Sequence, residues 1–285
     1  MSGYSEKFID YLSKEGKSEN TIKTYLLNVQ EYLKWFQETY DLECKKLYRE
    51  NVLEYKSYLL NVKKHRGKNL NGKTVNGKLS ALYSFNKFLI SEGIQSEIVL
   101  NKSDFVKVQI DYANPCIITK NDVERFRQKI LEAGDKRLYA LVTILAYAGL
   151  RISEALNIKL SDYSLEAKEL VVRRGKGDKQ RIVYLNSKII NAIRGYLKVR
   201  QSNSEYLFVS RESDKVDRTV INKHFKKYSN IITPHMLRHF YVTHCLEMGY
   251  SVHEVANQAG HRDIKTTLIY TNPNREEMKR KAELL

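Results

Sequence analysis

Through the first ninety residues the apolar side chains recur at helical spacing, and past Gly93 that spacing stops. Ile22, Leu26, Val29, Leu33 and Phe36 step by four, three, four and three residues, which puts them on one stripe of an α-helix. Ser18 or Asn20 can cap it, because a short polar side chain accepts a hydrogen bond from an unpaired amide of the first turn. Val52, Tyr55 and Leu59 form a second stripe, and Val75, Leu79, Leu82, Phe85 and Leu89 a third. The stretch GIQSEIVLNKSDFVKVQIDYANP, residues 93–115, keeps no such period and ends at Pro115, so it reads as a linker. A chain of 285 residues can bury two cores. The expected organisation is a helical domain over 1–92, the linker at 93–115, and a second domain over 116–285.

The second part mixes periods. Thr119-Lys120-Asn121-Asp122 has the form of a capping box, and a very apolar helix, RLYALVTILAYAG, follows and ends at Gly149. After LRISEALNIKLSDY come ELVVRR, the turn GKGD and QRIVYL, an alternating pattern broken by glycines that predicts a β-hairpin. A helix after Ser187, a strand-like YLFVS and a helix near 217–229 come next. Thr233 and Pro234 make an N-cap and N1 pair for HMLRHFYVTHCLEMG, which Gly249 closes, and Ser251 to Glu254 is a further capping box. The fold class expected is mainly α with a small antiparallel sheet, the second domain being α+β.

Charge narrows the function. Lys and Arg number 49 against 33 Asp and Glu, a net +16. The excess is concentrated after residue 112, where 31 basic residues face 19 acidic ones, against 18 and 14 before it. Such a balance suits a polyanion partner, most often nucleic acid, although it also serves solubility. The loop KKHRGKNLNGK and the helix after it carry Lys63, Lys64, Arg66, Lys68, Lys73 and Lys78, which are either solvated or candidate phosphate contacts. The N-terminus has no apolar secretory region and no apolar run reaches membrane-spanning length, so the expected location is the cytoplasm. Three widely spaced cysteines, Cys44, Cys116 and Cys245, indicate neither a disulfide framework nor a cysteine-based zinc site.

Five of the seven histidines fall between residues 235 and 261. His235 and His239 are four apart, as in a zinc-binding HExxH, but the glutamate is missing and Arg238 on the same face would repel a dication. Phosphate fits better, since His235 and Arg238 project together from the positive N-terminal end of a capped helix. That potential and the neighbouring arginines should keep the His235 ring neutral and able to accept a proton. Arg151 in AGLRISEAL could pair with Glu154 on the surface or face a pocket, and Lys176 in the hairpin turn is by itself an ordinary solvated lysine. His239 reads as structural, and His244 and His253 as helix-surface residues.

Arg151, Lys176 in GKGDKQR, His235 and Arg238 in HMLRH, His261 in GH and Tyr270 in TTLIYT resemble, in order and spacing, the tyrosine recombinases. The resemblance covers about 113–275, and more loosely the helical first third, which looks like that family's core-binding domain. It implies that Tyr270 attacks a DNA phosphodiester to give a 3′-phosphotyrosyl link and a free 5′-hydroxyl. Arg151 and Arg238 would hold the phosphate, His235 act as base, Lys176 as acid and His261 as a further hydrogen-bond donor, with Glu154 orienting the arginines. No cofactor, metal or ATP is implied. The implied partner is double-stranded DNA carrying an inverted-repeat site, bound by a homotetramer whose C-terminal helices, with Met278, Ala282 and Leu285 on one face, dock on neighbouring protomers. The implied role is resolution of transposon cointegrates or integration and excision of a mobile element. Chromosome-dimer resolution and a non-catalytic DNA-binding protein are the alternatives. Asp263 is expected to start a helix with Tyr270 two turns along it, and with His261 just before its positive end.

Overall fold

The computed structural model describes residues 2–108, 118–173, 180–210, 213–261 and 263–270, with 279, 282 and 283. The chain divides into two compact units, 1–110 and 111–285.

The first unit holds helices α1 (Ser2–Lys14), α2 (Glu19–Tyr40), α3 (Arg49–Asn61) and α4 (Gly72–Ser91). The Ser18 hydroxyl accepts the Thr21 amide at the start of α2, and the Asn71 side chain does the same for Thr74 in α4. The apolar stripes of α1 to α4 meet in one core around Phe8, Tyr32, Trp35, Tyr55, Leu79 and Phe88. Rings dominate it, with Tyr32 edge-on to Tyr55 at 5.1 Å and Phe8 edge-on to Phe85 at 5.2 Å. The basic loop between α3 and α4 is an antiparallel hairpin, β1 (Lys64–His65) and β2 (Lys68–Asn69). Its turn residues Arg66 and Gly67 both have positive φ, 51° and 77°, the twist that suits a two-residue hairpin turn.

Two expectations fail here. Lys78 is buried and donates to Glu31 at 2.6 Å, and Lys63 donates to the other Glu31 oxygen at 2.5 Å, so neither charge is offered to a phosphate. Burial raises the Glu31 carboxyl, but Lys63 and Lys78 outweigh it and hold it below its ordinary value. Lys64, Arg66, Lys68 and Lys73 are exposed. Residues 94–106, read as linker, are part of the first unit. Val99 and Leu100 are buried in its core, and Asp104 makes two hydrogen bonds to Arg49 at 2.7 and 2.8 Å. Asn86 donates to Glu97 O and accepts from Val99 N, while Asn76 brackets Val106 in the same way. Side chains that satisfy an irregular backbone leave no periodic trace in sequence. Residues 109–117 lie outside the described residues.

The second unit contains α5 (Lys120–Glu132), α6 (Lys136–Ala148), α7 (Ile152–Leu156), α8 (Ser187–Leu197), α9 (Arg218–Tyr228), α10 (Pro234–Glu247), α11 (Val252–Ala259) and α12 (Lys265–Leu268). Strands β3 (Tyr163–Ser164), β4 (Glu169–Val172) and β5 (Arg181–Tyr184) form one antiparallel sheet with Leu170 opposite Val183. Helix α6 is its centre. From Ala140 to Ala146 every residue is fully buried, and α5, α8 and α10 pack around it. An all-apolar helix must be covered on all sides, which its neighbours supply. The caps at Thr119, Thr233 and Ser251 form as expected. YLFVS is not a strand: Tyr206 makes a single bridge to Lys159, while Leu207 and Phe208 plug the core. Among the described residues no helix is long and apolar enough to cross a membrane.

Candidate active site

The site starts where α6 ends. Gly149 caps α6 with φ 63°, and a Cβ there would come within 2.1 Å of the Tyr241 ring, so only glycine fits the turn. That turn delivers Arg151 to the head of α7. Glu154 reaches back to the Arg151 amide at 2.9 Å and to its guanidinium at 3.0 Å. The second Arg151 nitrogen donates to Gly260 O at 3.0 Å. From the first turns of α10, buried Arg238 donates through one nitrogen to Gly149 O and Ala259 O, both at 2.7 Å. Both arginines thus hold the C-terminal end of α11, where unpaired carbonyls and the negative dipole end favour cations.

A third arginine, absent from the sequence reading, completes the frame. Arg181 of β5 is buried, makes two bonds to Glu154 at 2.8 and 3.1 Å, and donates to Gln258 O at 2.9 Å. Burial raises the Glu154 carboxyl, but Arg181 and then Arg151 overcome this and hold it at about 2. One carboxylate therefore pairs with two guanidinium groups, those of Arg151 and Arg181. Burial and then the repulsion of Arg151 bring Arg238 down to about 10, still protonated at neutral pH. Its second terminal nitrogen, Nη2, is buried and has no hydrogen-bond partner among the described residues. A buried cationic donor left unpaired marks a place for an acceptor.

Arg151, Arg218, His235, Arg238, His261, Thr266 and Tyr270 line one cleft. The structure thus brings together Arg151, His235, Arg238, His261 and Tyr270, with Glu154 beneath them, while Lys176 lies outside the described residues. His261 Nδ1 is 2.6 Å from the fully buried Thr267 hydroxyl, which fixes the ring. Burial, then Arg238 and Arg151, depress His261 to about 4, so it stays neutral. His235 is lowered by burial, then by Arg238 and Arg218, in the direction expected from its place.

The C-terminal stretch differs from expectation. Helix α12 is a single turn, Lys265–Leu268, and Tyr270 follows it rather than lying two turns along a helix. Its ring packs against Val242, Val255 and Ala259, and its hydroxyl lies 3.1 Å from His239 Nε2. His239 Nε2 is in turn 3.1 Å from His235 Nε2. The histidine read as structural therefore touches the tyrosine. Its signal was available, since residues four apart share a helix face, but nothing local said that Tyr270 would arrive there. Among the described residues no group of three metal-ligating side chains converges.

Residues 117–277 match the model of the phage integrase family. The chain belongs to that family. A second model, the N-terminal SAM-like domain of phage integrases, matches residues 6–93 of the recombinase. The recombinase is 52% identical to the TnP I resolvase of Bacillus thuringiensis, with 99% of each chain covered. It is 32% identical to the tyrosine recombinase XerA of Pyrococcus horikoshii, over 98% of this chain and 92% of the relative. The crystal structure of a XerA recombinase matches with TM-score 0.53 at 25% identity, covering 99% of this chain and 98% of that one. The Tn1549 transposon integrase, solved with a circular intermediate DNA, shares the fold at TM-score 0.70 and 18% identity, with 99% of each chain covered. The family resemblance and the two-part fold read from the sequence are thereby shown. The recombinase is a site-specific DNA strand transferase that works through a phosphotyrosyl intermediate, without ATP or metal.

Proposed function

We propose that Tyr270 is the nucleophile and that Arg151 and Arg238 clamp the scissile phosphate. The observation that carries this is the buried Nη2 of Arg238, which has no partner among the described residues and lies in a cleft that Arg151, His261 and Tyr270 also line. A phosphodiester oxygen would satisfy that donor with a charge-assisted hydrogen bond, and negative charge growing on phosphorus would strengthen it. Tyr270 Oη bonds to phosphorus, the P–O5′ bond breaks, and the 5′-oxygen leaves with a proton. His235 acts as the base toward Tyr270, Lys176 supplies the proton for the leaving oxygen, and His261, held by Thr267, donates to a phosphate oxygen. Glu154, itself held by Arg181, positions Arg151. The bond energy is stored in the phosphotyrosyl link, so strand exchange runs without an added energy source.

The domain reading assigns core-site DNA binding to 1–92 and catalysis to 116–285, with exposed Lys64, Arg66, Lys68 and Lys73 as phosphate contacts. Full-length likeness to a resolvase at 52% identity favours action on a mobile element, as cointegrate resolution, in the cytoplasm and on an inverted-repeat DNA site. Assembly as a tetramer, with the C-terminal segment of one protomer on the next, has a candidate acceptor. A groove beside β5 and the end of α10 is lined by Ile182, Tyr184, Met248 and Tyr250, all exposed. Contiguous exposed apolar surface of this kind marks an interaction site.

A DNA substrate nicked just past the cleavage point tests the chemistry, because it traps the intermediate. Wild type should give a covalent protein–DNA adduct in EDTA, and Tyr270→Phe should bind the same DNA without forming one. An adduct that survives Tyr270→Phe would refute the assignment.

A further inference from the structure

We infer that His239 is a further catalytic residue of strand cleavage, the group through which the Tyr270 proton leaves. The inference rests on Tyr270 being the nucleophile and concerns what that role requires of its surroundings. His239 stands one turn beyond His235 on α10, outside the lining of the cleft. Its Nε2 lies 3.1 Å from Tyr270 Oη and 3.1 Å from His235 Nε2. The rings meet edge to face, Tyr270 at 4.8 Å and His235 at 4.5 Å between centroids. One nitrogen thus faces both the reacting oxygen and the residue expected to act as base.

Proton counting gives the step. A neutral imidazole carries one hydrogen, and a lone pair on His239 Nε2 requires that hydrogen to sit on Nδ1. The phenol O–H bond then breaks as the Oη–P bond forms, the proton moves to His239 Nε2, and the P–O5′ bond breaks as Lys176, the acid proposed above, gives a proton to the 5′-oxygen. With the His235 hydrogen on its own Nδ1, His235 Nε2 can share the proton held by His239. In the rejoining step the 5′-hydroxyl attacks the phosphotyrosine and gives its proton back to Lys176, while His239 Nε2 returns its proton to the departing phenolate. Atoms and charge balance over the cycle with no added reactant.

The environment favours a neutral acceptor at rest. Burial first, then His235 and Arg238, lower the His239 pKa. The groups facing it are His235 and Arg238 of its own helix and Tyr270 of the C-terminal segment, with Arg218 of α9 acting on His235. The contact to Oη places His239 Nε2 where the departing phenol proton must go. His239 also sits on the same helix as Arg238, so the phosphate clamp and the proton acceptor share one rigid element.

The test uses the full-length protein, the nicked substrate and single-turnover adduct formation from about pH 5.5 to 9. His239→Gln keeps a hydrogen-bonding side chain of similar reach but cannot take up a proton. The expected result is adduct formation slowed at least about tenfold, toward the hundredfold or more typical of a lost general base, with DNA binding unchanged. The wild-type rate should fall as pH drops through the histidine range, and the His239→Gln rate should lose that limb. Added imidazole should restore part of the rate to His239→Ala, a rescue that a structural role would not produce. If His239→Gln cleaves at the wild-type rate with the wild-type pH profile, the inference fails. It also fails if His239→Ala binds DNA, cleaves slowly and ignores imidazole. Loss of the adduct in Tyr270→Phe alongside either result would leave the nucleophile assignment standing.

Discussion

Replacing Arg181 with methionine removes a buried cation while keeping much of the side chain's apolar length, and its consequences can be worked out in advance. Arg181 supplies two of the hydrogen bonds to Glu154 and one to Gln258 O. Without it the buried Glu154 carboxylate keeps only Arg151. Breaking a buried ion pair from one side costs about 3 to 5 kcal/mol. A second route gives a similar figure. A carboxyl held at about 2 instead of 4.5 stabilises the folded state by roughly 3 kcal/mol at neutral pH. Because the folded value lies below the unfolded one, this stabilisation is complete above about pH 4.5 and disappears as pH falls toward 2. The deficit of Arg181→Met should therefore be full at pH 7 and shrink as the solution is acidified through that window. The chain's only tryptophan, Trp35, lies in the first unit, so its fluorescence is the wrong probe. Amide exchange of α6 and α10 during urea unfolding reports the second unit. A deficit at pH 7 below about 1 kcal/mol, or one that does not shrink in acid, would refute the account of Glu154 as a carboxylate held ionised by Arg181.

Two further outcomes are expected. Neutralising exposed Lys68 should lower the salt dependence of DNA binding by roughly one unit of slope, whereas Lys78→Met should leave that slope unchanged and lower the stability of the first unit, since its charge is spent on Glu31; filter binding across a salt series and thermal unfolding separate the two. If the proposed tetramer docks through this groove, Tyr184→Asp or Met248→Asp should leave binding to a single half-site intact but abolish the larger complex on a full pair of sites, as read by native gel or sedimentation, because a charge there opposes an apolar contact.

Some of the site was legible before any tertiary information. Arg151, His235, Arg238, His261 and Tyr270 stand in short motifs beside helix caps and turn glycines, and those motifs act over a few residues. The Thr233 and Pro234 start of α10 and the Gly149 end of α6 are of this kind, since each satisfies or terminates a backbone pattern within one turn. Other features depend on partners far along the chain. Nothing near Lys78 indicates that Glu31, 47 residues away, will bury its charge. The stretch after Gly93 looked like a linker because its order comes from Asn86, Asn76 and Arg49, not from a period of its own.

What the sequence alone determined is most of the helices, though not α1, the broad outline of the two-part organisation, and the residue types that line the cleft proposed to bind the phosphate. These follow from local periodicity, caps and a motif order carried by residue types. Only the tertiary structure decided which cations face solvent, that Arg181 completes the frame under Arg151, and that Tyr270 meets His239 across 31 residues. Hydrogen bonds of that kind are set by where two distant backbones pass each other, and burial then makes each pairing costly to lose.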